Sequence, residues 1–175
     1  MKDEISIVLQ KNVKFYKIDS IKEKISAIFN TNVSVLEERI DINSFYDGSR
    51  VQYNAAGIID SRTIIKNKKC LIIVMHDIFI PIFTFVFGLA KLNGNTAVIS
   101  THHLRNRYYG LPENENLLME RIIKEAVHEI GHLFGLRHCI QYNCVMVNST
   151  SAEEIDIKNA DFCPSCSTIL ESLSN

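Results

Sequence analysis

Apolar residues follow two spacings along this chain. Residues 5–10 (ISIVLQ) form an apolar run of strand length. Residues 70–75 (CLIIVM) are continuously apolar and rich in β-branched side chains, the pattern of a central strand buried on both faces. Ile21, Ile25 and Ile28 recur at helical spacing behind Ser20 and Glu23, which read as a capping box. Residues 32–42 read as extended, 43–48 as a loop, and 51–65 as a helix weakened by Gly57. TFVFGLA (84–90) and TAVIS (96–100) flank Asn93-Gly94, a pair suited to a hairpin turn. Residues 114–134 carry the strongest helical pattern in the chain, and periodicity then fades until a short helix over 165–173. The order β-α-β-α-β-ββ-α followed by loops predicts an α/β (α+β) fold, a sheet with helices packed on it. No repeat, low-complexity tract or linker divides residues 1–175. They are expected to form a single domain, with sheet and helices up to about 135 and a C-terminal subdomain over about 136–175.

Composition adds mostly exclusions. With 175 residues, 22% charged and 46% hydrophobic, the chain has the make-up of an ordinary globular domain. A formal net charge of -1 and no basic stripe argue against a nucleic-acid partner. The start, MKDEISIVLQ, lacks the apolar core of a secretory signal. The run 70–90 is long enough to span a bilayer, but His76, Asp77 and Pro81 interrupt it. An Asp at the centre of a membrane helix costs about 2.5–3.5 kcal/mol, and two buried strands joined by a loop fit the run better. No membrane partner is expected, and a monomer is the default.

The chemistry concentrates in HEIGHLFGLRHC, residues 128–139. His128 and His132 lie four apart on the predicted helix, so both imidazoles leave one face. Glu129 sits about 100° around from His128, within reach of a water on a metal held by the histidines but not itself a ligand. Gly135 is placed to end the helix in a left-handed turn, which returns His138 as third ligand. Three neutral imidazoles leave one tetrahedral position open to water, as in catalytic zinc sites. Glu129 is then the candidate general base for attack on a carbonyl.

Five cysteines, an odd number, argue against a disulfide framework. Cys139, Cys144, Cys163 and Cys166 have the C-x4-C and C-x2-C spacing of a structural tetrathiolate zinc site. Thiolates held by a metal point to a reducing cytoplasm. A redox reading of CPSC (163–166) would want a thioredoxin-like βαβ setting, which this tail lacks. Neighbouring residues of an extended segment point to opposite sides, so His138 can face one metal while Cys139 faces the other. Cys70, at the head of an apolar run, reads as a core residue.

HEIGHLFGLRHCIQYNCVM followed by CPSC resembles the archaemetzincins, a family of zinc metallopeptidases of the metzincin clan. The resemblance implies His128, His132 and His138 as catalytic zinc ligands and Glu129 as general base. It also implies Cys139, Cys144, Cys163 and Cys166 as a second, structural zinc site, hence two Zn2+ per chain, and Met146 as the methionine of the Met-turn. FVFGLA and TAVIS share the likeness. It further implies a mixed twisted sheet with two main helices, one of them the active-site helix, and a cleft along the sheet's edge strand. TAVIS is the candidate for that edge, where an extended peptide could pair its backbone. Members of the family are metallopeptidases, in some cases aminopeptidases. Many metzincins carry a tyrosine two residues after the Met-turn methionine; here that position is Asn148. Tyr108, Tyr109 and Tyr142 are candidates to replace it, and His102 and His103 candidates to line the cleft.

The leading expectation is therefore a zinc-dependent peptidase acting on peptides or proteins. The competing one is a two-zinc module that binds a peptide or protein without cutting it. An intact Glu129 favours the enzyme, since a scaffold has no use for a base beside an open metal position. Hydrolysis of a non-peptide amide would use the same chemistry.

Overall fold

The computed structural model describes residues 4–13, 15, 17–61 and 68–173. The chain order is β1 (Glu4–Gln10), α1 (Ile18–Phe29), β2 (Val33–Ile40), β3 (Tyr46–Asp47), β4 (Gln52–Asn54), α2 (Ala55–Asp60), β5 (Lys68–Val74), β6 (Ile78–Phe79), β7 (Gly88–Ala90), β8 (Thr96–Ser100), α3 (Glu115–Leu133), α4 (Ala152–Ile157) and α5 (Pro164–Leu173). Five strands form a mixed sheet in the order β2-β1-β5-β8-β7, and β3, β4 and β6 form a small second sheet. β2, β1, β5 and β8 run parallel, and only β7 is antiparallel to its neighbour.

The two-residue period of a strand divides the core into two layers. Ile5, Ile7, Leu9, Leu71, Ile73, Ala97 and Ile99 face the cluster that includes Ile21 and Ile25 of α1 and the apolar side of α3. Val8, Cys70, Ile72, Val74 and Val98 face the other way, onto Ile58 and Ile59 of α2 and Ile78 of β6. Apolar residues on both faces explain why β5 reads as an unbroken apolar run. Cys70 is buried in this second layer, as a core residue should be. No helix among the described residues is long and apolar enough to cross a membrane. The suspect run 70–90 is divided among β5, β6 and β7.

Four local expectations need correction. TAVIS is not the edge: as β8 it pairs with β5 on one side and β7 on the other, and all five of its residues are buried. The edge on this side of the sheet is β7, three residues long and half-buried throughout. The capping box at Ser20 and Glu23 does not form. α1 begins three residues earlier, behind Lys17 in a left-handed conformation, and Ser20 already lies in its first turn. The helix expected over 51–65 is a strand, β4, followed by the short α2. Val51 has φ 57, outside any right-handed helix, and the Asn54 side chain accepts the Gly57 N–H to start α2 at Ala55. Residues 62–67 of that stretch lie outside the described residues. The loop over 43–48 contains a 3-10 turn and the start of the β3–β4 hairpin. α4 has no counterpart among the predicted elements.

Candidate active site

α3 carries the site. Asn114 caps it by accepting the Leu117 N–H, and its last turn closes as the glycine at 135 requires. Gly135 has φ 97; its N–H donates to the His132 carbonyl and the Leu136 N–H to the Gly131 carbonyl, both at 3.0 Å. This paired closure is a Schellman motif, which satisfies terminal carbonyls that would otherwise be orphaned. The turn sends the chain back so that the His138 ring lies 5.3 Å from that of His128 and 4.9 Å from that of His132, centroid to centroid. One ligand nitrogen of each histidine lies within 4.8 Å of the other two.

Hydrogen bonds fix how two of the rings present themselves. His128 Nδ1 lies 2.8 Å from the Val145 carbonyl and His132 Nδ1 2.7 Å from the Leu136 carbonyl. A carbonyl only accepts, so each Nδ1 carries the proton and each Nε2 is a bare lone pair. The two Nε2 atoms then face each other at 3.1 Å with no hydrogen between them. Two opposed lone pairs repel unless a cation sits between them. Two nitrogens on a tetrahedral zinc, bonded at about 2.0–2.1 Å, stand only slightly farther apart. The residues present thus fit a metal ion. Burial, helped by the Lys158 ammonium, holds all three imidazoles below their ordinary range, His128 most strongly. They are neutral, and hence able to ligate, near neutral pH.

Glu129 is 6% exposed. Burial pushes its carboxyl well above the ordinary range, the Glu125 charge adds to this, and Lys158 opposes it. Above it lies Gly88 of the edge strand. A Cβ at Gly88 would come within 2.6 Å of Glu129 Oε1 and 2.7 Å of its Cγ, so a glycine is what lets the strand pass over the carboxylate. Gly88→Ala should push Glu129 aside. Since displacements of about 1 Å near reacting atoms can cost about 10²-fold in rate, kcat should fall by about that factor. Zinc content and far-UV circular dichroism should match the wild type.

The same strand offers an open edge. The Ser100 N–H donates to the Phe87 carbonyl at 2.8 Å. By the alternation of an antiparallel ladder, with Gly88 opposite Ile99 and Ala90 opposite Ala97, Gly88 and Ala90 direct their N–H and C=O groups away from the sheet.

Met146 is fully buried, and its sulfur lies 2.6 Å from where a Cβ on Gly131 of the active-site helix would be. Next to it, Lys158 Nζ donates to Glu125 Oε1 at 2.9 Å and to the Val147 carbonyl at 3.3 Å. The two charged side chains are 1% and 5% exposed. Arg121 forms a bidentate pair with Asp156, and Lys124 Nζ donates to the Ile155 and Asp156 carbonyls. Polar side chains of α3 thus tie the C-terminal segment to the active-site helix. Lys158→Met strands a buried Glu125 charge and should cost about 3–5 kcal/mol of stability. Glu125→Gln combined with Lys158→Met should recover most of it, as urea unfolding would measure.

Beyond the active-site helix, the four thiols converge. Cys139, Cys144, Cys163 and Cys166 place their sulfurs within 4.8 Å of one another, and all are free thiols. Cys139 and Cys163 Sγ are 3.8 Å apart, the edge of a tetrahedron whose Zn–S bonds are about 2.3 Å. Pro164 is the first residue of α5, where its fixed φ suits a helix start. The turn lets the Cys166 N–H bond to Cys163 and hold that thiol down to about 7. Cys163 and Cys166 follow a loop rather than a strand, unlike a thioredoxin-type pair. The Cys139 N–H donates to the Met146 carbonyl at 2.9 Å, so His138 turns to the imidazoles and Cys139 to the thiols.

Other residues singled out in the sequence fall elsewhere. Tyr142 is 76% exposed, and Asn148 is exposed. Tyr108 packs on His102 and His103, and Tyr109 Oη donates to the His103 carbonyl at 2.9 Å. His103 is buried and hydrogen-bonded to Asp77. None of these has a ring contact with the three imidazoles. Gly88, Glu125 and Lys158 went unnoticed in the sequence. Only the glycine within the apolar run FVFGLA carried a signal, because a glycine inside a strand often marks a close backbone approach.

Comparison with known proteins shows the family. Residues 3–172 match the model of Peptidase family M54. The chain is 38% identical to an archaemetzincin of Haloquadratum walsbyi over 147 residues, 82% of this chain and 85% of the relative. The crystal structure of the Archaeoglobus fulgidus archaemetzincin, complexed with malonate, superposes with a TM-score of 0.83 at 36% identity and covers 94% of this chain and 98% of its own. That of a zinc-dependent peptidase from Methanocorpusculum labreanum gives 0.86 at 29% identity and covers 95% and 99%. The chain belongs to Peptidase family M54, the archaemetzincin family of zinc metallopeptidases.

Proposed function

We propose that this protein hydrolyses peptide bonds with Glu129 as general base and with His128, His132 and His138 as the protein ligands of the catalytic zinc. Cys139, Cys144, Cys163 and Cys166 hold a second zinc that orders the C-terminal segment, giving two per chain. The observation that carries this reading is a carboxylate buried beside three converging imidazoles, directly under a strand with an open hydrogen-bonding edge.

When bound, zinc lowers the pKa of water and polarises a carbonyl. The chain's own groups do the rest. Gly88 and Ala90 pair with an extended peptide as an added strand and lay its scissile bond across the histidines. Glu129, its proton affinity raised by burial, takes a proton from the attacking water and passes it to the leaving amine. The carbonyls of Val145 and Leu136 keep His128 and His132 in the ligating tautomer. A thiolate zinc site persists in a reducing compartment, so the cytoplasm is the proposed location.

The test is a peptide library incubated with zinc-loaded protein and read by mass spectrometry. The wild type should cleave members of it, and His138→Ala should not. Elemental analysis should find about one zinc fewer in the variant, because two protein ligands hold the ion poorly while the cysteine site does not use His138. Cleavage by His138→Ala at the wild-type rate would refute the three-histidine assignment.

A further inference from the structure

A third group of metal-type donors lies at the carboxyl ends of β5 and β8. Asp77 follows β5, and His102 and His103 follow β8. One ligand atom from each lies within 4.8 Å of the other two. His103 Nε2 and Asp77 Oδ1 are 2.8 Å apart. The other carboxylate oxygen accepts from Gln52 Nε2 at 3.0 Å, and the same amide donates to the Thr84 carbonyl at 2.7 Å. The His103 ring is stacked 3.7 Å from Phe85, with Tyr108 against it at 4.0 Å. The donors are thus held by outer contacts on several sides.

An Asp–His pair alone leaves part of this arrangement unexplained. His103 is 2% exposed, and its Nδ1 is buried without a partner among the described residues. As a neutral ring donating Nε2–H to Asp77, it keeps a bare Nδ1 lone pair; as an imidazolium, it buries an unmet N–H. His102 stands beside it, ring centroids 4.9 Å apart. A carboxylate bonded to the far nitrogen of an imidazole is the common way of orienting a ligating histidine.

We propose that Asp77, His102 and His103 form a further binding site for a divalent transition-metal ion of the zinc, cobalt and nickel group. His102 and the His103 Nδ1 supply the two protein ligands, and Asp77, bonded to the far ring nitrogen, supplies negative charge and fixes the His103 ring, so this site is weaker than the three-histidine one. Imidazole nitrogen suits these ions better than calcium or magnesium, which take all-oxygen sets. Burial would raise Asp77, but hydrogen bonds from His103 and Gln52 outweigh it and hold the carboxyl below its usual range. Burial and the neighbouring His103 keep His102 below the usual imidazole range. His102 is half-buried and Tyr108 exposed, which gives an ion a way in. Gln52, Asp77 and Phe85 connect this group to the segment that enters the edge strand, so an ion here would brace the start of the substrate-binding edge.

The test is calorimetric titration of zinc chloride into protein already loaded at its histidine and cysteine sites. The wild type should take up one more equivalent than His102→Ala or Asp77→Asn. Affinity in these variants should fall by at least the ~10–100-fold that loss of an outer partner alone causes. His76→Ala should retain the extra equivalent, because that exposed ring hydrogen-bonds to Gln10 instead. His102→Ala removes a half-buried side chain, so its fold should be unaffected and the comparison stands even if Asp77→Asn folds poorly. Equal stoichiometry and affinity in the wild type and His102→Ala would overturn the proposal, as would loss of the extra equivalent in His76→Ala. The readout involves no turnover, so it is independent of the assignment of Glu129.

Discussion

Glu129→Gln should cut peptide hydrolysis by about 10²–10⁴-fold, the usual contribution of a general base, with zinc content unchanged. Glutamine matches the shape of glutamate and fits the space under Gly88, but it cannot take a proton from water. None of the three imidazoles is touched, and their Nδ1 partners are the backbone carbonyls of Val145 and Leu136. A metal-free stability measurement gives an independent check. Burial raises the Glu129 carboxyl well above its unfolded value. Between those two values the native state binds a proton that the unfolded state has lost, so stability falls as pH rises through this window. The cost is fully present above the folded value and absent below the unfolded one. Metal-free Glu129→Gln should therefore be more stable than metal-free wild type at neutral pH, and the gain should disappear in acid below the ordinary carboxylate range. Wild-type rates in the zinc-loaded variant would remove Glu129 from the reaction.

What could be read from the chain beforehand depended on the range of each interaction. The α3 periodicity and the role of Gly135 are local: four-residue spacing fixes one face, and a left-handed turn requires a glycine. His128, His132 and His138 were accordingly assigned together, and the structure brings their nitrogens together. Strand position is not local. TAVIS has no residue that distinguishes an edge from an interior strand; its place is set by the antiparallel return of β7, whose ladder is only three residues long. Lys158 carries no sequence signal for a similar reason. It lies in a stretch without periodicity, and its partner Glu125 is 33 positions away. Gly88 meets Glu129 across an even longer separation. His138 and Cys139 are the opposite case: adjacent residues on an extended segment must diverge, and two metal-type clusters, one on each side, are what the structure contains.

Mild chelation near neutral pH should remove one zinc and all activity while leaving secondary structure unchanged. The histidine site has three neutral ligands, and its third, His138, is exposed, so a chelator can enter the coordination sphere from that side. Little of the fold depends on that ion. α3 is held by its cap, its Schellman closure and its packing on the sheet, and the rings of His128 and His132 are anchored by backbone carbonyls. The cysteine site differs on each count. Cys144 and Cys166 are buried, four ligands leave no open position, and the sulfurs join two loop segments to the start of α5. In the proposed cysteine site, metal binding free energy would act as folding free energy. Its zinc should leave only under harsher chelation or thiol modification, and the segment from Cys139 onward should then become sensitive to protease. Re-adding zinc after the first step should restore turnover without any refolding phase. In the loaded protein a thiol reagent should find at most Cys70, which is buried in the core, and the other four should react only after the second zinc has gone. Loss of both ions in one step together with the helical circular dichroism signal, or four thiols freely reactive in the loaded protein, would contradict the division into one working and one structural zinc.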